Sequence, residues 1–203
     1  VRDHGDLRDP AVLASFRYDS EDQLDGLLRR AVRDGGNRHW ELRGPIASVL
    51  ADPAECTLWV SGGDTVLRAL CAQPAGDPWS LEIHRQPPSP AGRRRATVES
   101  LLWNTAVWSS RGRLPDTVDP FVPVRVRAWP DLTRCVLTPS VLAVVALLAA
   151  GAHPPAEVAD LLGIPRSHAF VAMAGLEAAG LLERPDPTAV PIGSDAGDTP
   201  PPP

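Results

Sequence analysis

Five arginines are the residues best suited by type and spacing to bind an anion. Arg93, Arg94 and Arg95 are consecutive in the stretch GRRRA, and Arg111 and Arg113 follow after an apolar segment. Guanidinium groups bind phosphate and carboxylate oxygens through paired hydrogen bonds. Positive charge at the start of a predicted helix is opposed by the helix dipole, which favours a role in contacting phosphate or an acidic partner. A solvated loop is the alternative interpretation.

The other chemistry-bearing residues form no pattern typical of a catalytic or metal site. The five histidines include no H-x-x-x-H pair, and the three cysteines include no C-x-x-C. No serine lies in G-x-S-x-G. The stretch SGGDT at 61–65 lacks the lysine of a phosphate-binding loop and predicts a hairpin turn instead. We therefore expect no metal, no cofactor and no enzymatic activity, with a site assembled from distant residues as the remaining enzymatic alternative.

Composition and charge narrow the class of partner. All twenty basic residues of the 203-residue chain are arginines, and the formal net charge is −5. An acidic balance argues against general nucleic-acid binding, although it allows a local basic patch. The charged N-terminus is unlike a signal peptide, and the longest apolar run, 141–152, is too short to cross a bilayer. These observations predict a cytoplasmic protein without membrane contact.

The first two thirds of the chain predict an α+β module with a small antiparallel sheet. A helix with Ser20 as its N-cap is expected first, and an extended arm at 122–130 is expected last. Between them, apolar alternation predicts strands and a second amphipathic helix. The expected strands are 39–43, 56–60, 65–71 and 79–85, and the second helix is 91–112.

The last third predicts three helices and a short strand. Thr138 is the expected N-cap of the first helix, and Pro165 and Gly180 bracket the third. A tight Leu-Gly-Ile-Pro turn between the second and third helices predicts helix-turn-helix organisation, all-α apart from a short wing. The expected division is an α+β module at 1–128, a linker at 129–137, a winged-helix-like module at 138–186 and a disordered Pro-rich tail at 187–203.

The stretch AEVADLLGIPRSHAFVAMAGLEAAGLLER, residues 156–184, resembles the winged helix-turn-helix of MarR- and ArsR-type bacterial regulators. It is also similar to small winged-helix proteins that accompany roadblock proteins and small GTPases in some bacteria. The first resemblance implies a third helix that presents polar and basic side chains to DNA. This chain departs from that pattern, because its outward positions carry one cation. Those positions are Arg166, Ser167, His168, Phe170, Val171, Ala174 and Gly175.

An apolar outward face favours contact with protein over contact with phosphate. We therefore expect Arg166, His168, Phe170 and Val171 to bind a protein partner, which is another protein, a second copy of the chain, or the chain's own α+β module. The expected function is a non-enzymatic regulator or adaptor. The alternative is a DNA-binding transcriptional regulator of the winged helix-turn-helix type.

Overall fold

The computed structural model describes residues 5–73, 79–86 and 88–185, so the expected disordered tail at 187–203 lies outside the described residues. The α+β class predicted from the sequence is confirmed. None of the helices in the described ranges is long and apolar enough to cross a membrane. The helices are α1 (Pro10–Ser15), α2 (Leu24–Gly35), α3 (Asp64–Leu70), α4 (Val98–Ser110), α5 (Val141–Ala150), α6 (Pro155–Leu162) and α7 (Arg166–Ala178). The strands are β1 (Arg17–Tyr18), β2 (His39–Arg43), β3 (Ser48–Asp52), β4 (Thr57–Val60), β5 (Ser80–His84), β6 (Arg94–Ala96), β7 (Leu114–Pro115), β8 (Arg125–Val126) and β9 (Leu182–Glu183).

The main sheet is antiparallel, with the strand order β5-β2-β3-β4-β6. Strands β2, β3 and β4 form a meander, while β5 and β6 add to its two edges. Trp40 and Leu42 of β2 are buried in one hydrophobic cluster with Leu28 of α2 and Leu101 of α4. The two helices therefore cover one face of the sheet.

Two predicted elements of the α+β module are wrong, and so is the hairpin turn predicted at 61–65, where the chain instead leads from β4 into α3. The segment predicted as a strand at 65–71 is the helix α3, because its apolar residues Leu67 and Cys71 recur four apart and are both buried. The predicted helix at 91–112 begins only at Val98, after the N-cap Thr97, whose Oγ1 accepts from Ser100 N at 3.1 Å. The preceding residues form β6 at the edge of the sheet.

The helix-turn-helix organisation is confirmed. Helices α5, α6 and α7 follow one another, and Gly163 in the turn between α6 and α7 has a φ of 62°, a left-handed conformation that glycine adopts without strain. The N-cap of α5 is Ser140 instead of the expected Thr138. Strand β9 pairs antiparallel with β8 and forms a two-stranded wing, so part of the expected extended arm at 122–130 belongs to the wing.

The segment between the modules is held against α4. Trp103 Nε1 donates to the Val136 carbonyl at 3.0 Å, and Asn104 Nδ2 donates to the Arg134 carbonyl at 3.1 Å. In return, Val136 N donates to Asn104 Oδ1 at 2.6 Å. These contacts cross the expected domain boundary and fix the path of the chain into the helix-turn-helix unit.

Candidate functional site

The helix α7 occupies the position of the recognition helix in a helix-turn-helix unit. In DNA-binding proteins with this motif, the recognition helix lies in the major groove and its N-terminal residues contact base edges. Here one face of the helix, formed by Phe170, Ala174, Gly175 and Ala178, is buried against the rest of the chain, while the N-terminal residues Arg166 and His168 stay partly exposed. Phe170 is only 1% exposed. The prediction that Phe170 faces outward is therefore wrong. Its side chain packs against the N-terminal part of the same chain.

The partners of this buried face come from the N-terminal two thirds of the chain. The ring of Phe170 meets that of Phe16 edge to face, with the centroids 6.0 Å apart and an interplanar angle of 84°. A Cβ atom added to Gly175 would lie 2.8 Å from the indole of Trp103 on α4. Since Trp103 is itself fully buried, small residues on α7 are what allow the two helices to approach each other so closely.

The first turn of α7 also makes contacts within the chain. Arg166 Nη1 donates to the carbonyl oxygen of Gly5 at 2.6 Å. The His168 ring nitrogen Nδ1 and Ser140 Oγ lie 3.3 Å apart, so they link α7 to the start of α5. Val171 is half-buried. Four residues are expected to contact a partner. Arg166, His168 and Val171 are partly exposed, whereas Phe170 is buried.

An acidic residue near the end of α7 anchors this helix to α2. Arg29 Nη1 donates to both carboxylate oxygens of Glu177 at 2.9 Å, and Thr117 Oγ1 donates to the same carboxylate at 3.0 Å. Arg29 also lies 3.7 Å from the buried carboxylate of Asp25. Burial raises the pKa of Asp25 to about 6, and the charge of Arg29 opposes that rise. No local sequence pattern predicts this network, because Glu177 is far from both Arg29 and Thr117 in the chain.

Two of the three consecutive arginines are paired with acidic neighbours, and the third is bonded to a hydroxyl. Arg93 Nη2 donates to Glu41 Oε1 at 2.6 Å, and Arg94 Nη2 donates to Asp64 Oδ1 at 2.6 Å. Arg95 donates to the hydroxyl of Thr57 from Nε and Nη2. These contacts hold the edge strand β6 in place, so the pairing of Arg93 and Arg94 reduces the charge expected to meet an anion.

The two later arginines lie elsewhere. The guanidinium of Arg113 lies over the ring of Tyr18, with Cζ 5.5 Å from the centroid. Arg111 instead lines a pocket at the junction of α3, α4 and α7. The five arginines predicted to bind an anion therefore do not form a single patch.

The pocket at this junction has a volume of about 620 Å³. We call it the junction pocket and define it by the following side chains: Arg68, Val107, Trp108, Arg111, Val136, Thr138 and Val171. Two of these, Arg111 and Val171, are among the residues singled out from the sequence. Arg68, Trp108 and Thr138 were missed as site residues, since nothing in their local sequence connects them.

One cluster on the outer face of the sheet has the residue types of a metal site. The ligand atoms of Glu41, Glu82 and His84 all lie within 4.8 Å of one another. Glu41 is already bound by Arg43 Nη2 at 2.7 Å and by Arg93. Burial acts to raise the pKa of Glu41, but these hydrogen bonds and charges outweigh it and the pKa lies below its usual value. Two guanidinium groups at one carboxylate disfavour a cation, so this cluster is an ion-pair network.

The comparisons with known proteins concern the C-terminal third of the chain. Residues 141–186 match the family model of the IclR helix-turn-helix domain, which spans less than a quarter of the chain. This match supports the helix-turn-helix itself and points to a different family from the MarR and ArsR regulators that the sequence resembles. No curated protein and no solved structure matches the chain.

Proposed function

We propose that the chain is a non-enzymatic regulatory protein of the helix-turn-helix type, in which α7 is a packing helix instead of a DNA reader. The observation that carries this proposal is the burial of the Phe170, Ala174, Gly175 and Ala178 face against α4 and its neighbours. That buried face cannot enter a major groove, which leaves Arg166, His168 and Val171 as partly exposed residues of α7, and Arg166 is bonded to the Gly5 carbonyl.

The free energy of undocking α7 argues against a transient exposure of this face. Separation would expose Phe16, Trp103 and Phe170, which are fully buried. At about 1.5–3 kcal/mol for each large apolar side chain, the cost is roughly 5–9 kcal/mol. Non-specific duplex binding supplies only about 5.5–8 kcal/mol at physiological salt, which undocking would consume. Sequence-specific binding supplies about 11–15 kcal/mol, of which undocking would consume roughly half.

The surface that remains exposed on the helix-turn-helix unit favours contact with another protein. Leu142 of α5 and Leu161 of α6 are each more than half exposed. Helix α5 contains no charged residue along its whole length. Exposed apolar side chains on an uncharged helix are typical of protein interfaces, so we place the partner contact on α5 and α6 in preference to α7.

A second candidate function is DNA-binding transcriptional regulation. The match of residues 141–186 to the IclR helix-turn-helix domain favours it over protein contact, because this motif is a DNA-binding unit. With α7 docked, the exposed arginines available for phosphate contacts at the wing include Arg125 in β8 and Arg127 just after it, in addition to the partly exposed Arg166. Arg125 already donates to Glu183 at 2.7 Å, which reduces the charge available for phosphate.

Duplex binding measured at increasing salt separates the two functions. The full chain would be titrated into a labelled random duplex, and DNA fragments would be selected on the immobilised chain. The proposal predicts binding no tighter than a Kd of about 10⁻⁴ M at physiological salt, with no sequence enriched. The DNA-binding alternative predicts tight, sequence-selective capture that weakens steeply with salt.

Matched variants identify the surface if duplex binding is observed. Arg125→Gln and Arg127→Gln would weaken wing-mediated binding and lower its salt dependence. Arg33→Gln is the control, because Arg33 is exposed on α2 and pairs with the adjacent Asp34. Tight, selective binding that the wing variants abolish would overturn the proposal.

A further inference from the structure

We propose that the junction pocket binds a small organic anion with an apolar, aromatic body. This inference goes beyond the proposed function and does not depend on whether the partner of the helix-turn-helix unit is protein or DNA. A volume of about 620 Å³ lies within the range of about 300–1,000 Å³ that is typical of small-molecule sites.

The charge in the pocket comes from two arginines on different helices. Arg68 lies in the last turn of α3, and Arg111 is the C-cap of α4. Both are exposed, and neither makes a hydrogen bond or an ion pair within the part of the chain that the structure describes. Two guanidinium groups beside one pocket are suited to a carboxylate, which can accept hydrogen bonds on both oxygens.

The backbone at Arg111 supports a role in binding. Arg111 has a φ of 48°, and Cys56 is the other non-glycine residue with a positive φ in the described ranges. A left-handed residue at the end of a helix is usually glycine, and Gly112 follows immediately. An arginine held in this unfavourable conformation is the kind of local strain that accumulates at ligand sites.

The remaining walls are suited to an apolar body. Val107, Trp108, Val136 and Val171 supply the apolar surface, and Trp108 adds an aromatic ring to it. Thr138 also lines the pocket, but its hydroxyl oxygen is buried and offers no surface to a ligand.

The pocket is built from both halves of the chain. Arg68, Trp108 and Arg111 belong to the α+β part, whereas Val171 belongs to α7 and Thr138 lies three residues before α5. A ligand that contacts both parts binds the docked arrangement and not the unfolded chain. Binding is therefore expected to raise the melting temperature of the full chain.

The test uses probes that separate charge from apolar surface. Binding of 2-naphthoate, benzoate and 4-methylpentanoate to the full chain is measured by titration calorimetry, with 2-naphthol and inorganic phosphate as the uncharged and purely anionic counterparts. We expect a carboxylate to bind with 1:1 stoichiometry, at least about tenfold tighter than either counterpart, because a charged hydrogen bond and the apolar contacts act together. The same carboxylate should raise the melting temperature.

Variants test whether binding occurs in the junction pocket. Arg68→Gln and Arg111→Gln should each weaken carboxylate binding by about tenfold or more, while the exposed control Arg33→Gln should not change it. Arg111→Asn removes the charge but tolerates the left-handed backbone. It should lose binding without a lower melting temperature, which separates loss of the site from misfolding.

Three results would overturn the proposal. The first is a Kd weaker than about 1 mM for all three carboxylates. The second is binding of 2-naphthol as tight as that of 2-naphthoate. The third is carboxylate binding that persists unchanged in both arginine variants.

Discussion

Gly175 of α7 lies against the indole of Trp103 of α4, so closely that a Cβ atom added to it would be 2.8 Å from Cδ2 and Cε2 of that ring. Trp103 cannot easily give way, because its Nε1 is bonded to the Val136 carbonyl and the side chain is fully buried. The contact joins the helix-turn-helix unit to the α+β part of the chain.

Gly175→Ala should therefore destabilise the protein, although alanine favours helices more than glycine does. Overpacking of a tight core costs about 1–3 kcal/mol, against a propensity gain of about 1 kcal/mol. We expect a net loss in the free energy of unfolding measured by urea denaturation. Gly151→Ala is the control, because its added Cβ would meet His153 at an ordinary 3.5 Å. Unchanged or higher stability of Gly175→Ala would show that α4 and α7 are not packed as described.

Phe170→Ala tests whether this side chain serves the core or an external partner. Its ring is buried against Phe16, and loss of a buried phenylalanine costs about 3–5 kcal/mol. The chain should lose that much stability by chemical denaturation. Leu142→Ala removes a similarly sized but exposed side chain from α5 and should change stability by less than about 0.5 kcal/mol. Equal effects of the two changes would contradict the burial of Phe170.

Local patterns in the sequence predict the helix-turn-helix unit well. Pro165, Gly163 and Gly180 mark the ends of its helices, and apolar periodicity fills the segments between them. Alternation likewise predicts β2 and β5 within one residue of their ends. The sequence predicts a strand where the seven-residue helix α3 forms, because a short apolar run fits the periodicity of both. Burial of Leu67 and Cys71 is what favours the helix.

The surroundings of α7 depend on contacts that no local pattern encodes. The local pattern assigns the apolar residues of α7 to an inward face and an exposed face, and predicts that the exposed face contacts a partner. Phe170, Ala174 and Ala178 opposite Met173 and Leu176 give α7 a wide apolar surface, which is typical of a helix buried on more than one side. The junction pocket carries no such signal, since its walls come from segments far apart in the chain.

The ion pair between Arg29 and Glu177 should contribute to the docking of α7 on α2. Its two side chains are 20% and 19% exposed, and the contact involves both carboxylate oxygens. A double-mutant cycle with Arg29→Gln and Glu177→Gln should give a coupling energy of about 1–3 kcal/mol. The exposed pair Arg30–Glu21, at 3.1 Å, is the matched control and should give less than about 1 kcal/mol. Equal coupling energies in both cycles would mean that the Arg29–Glu177 ion pair contributes no more to stability than an exposed ion pair does.

The buried carboxyl of Asp25 should make the protein less stable as the pH rises. Burial raises its pKa from 3.8 to about 6 in the folded chain, despite the opposing charge of Arg29. Between these values the native state holds a proton that the unfolded chain has released, so the free energy of unfolding falls as the pH rises through this window. The full effect is about 3 kcal/mol. Asp25→Asn should remove this part of the pH dependence and be the more stable form near pH 7.

Urea denaturation at pH values from about 4 to 7 checks this prediction, because the difference between wild type and variant isolates Asp25 from other titrating groups. Asp22→Asn is the control, since that carboxylate is exposed just before the same helix; it should retain the wild-type pH profile. A difference between wild type and Asp25→Asn that stays constant over this range would mean that Asp25 is ionised throughout. Arg29 would then compensate its charge fully, in spite of its distance of 3.7 Å.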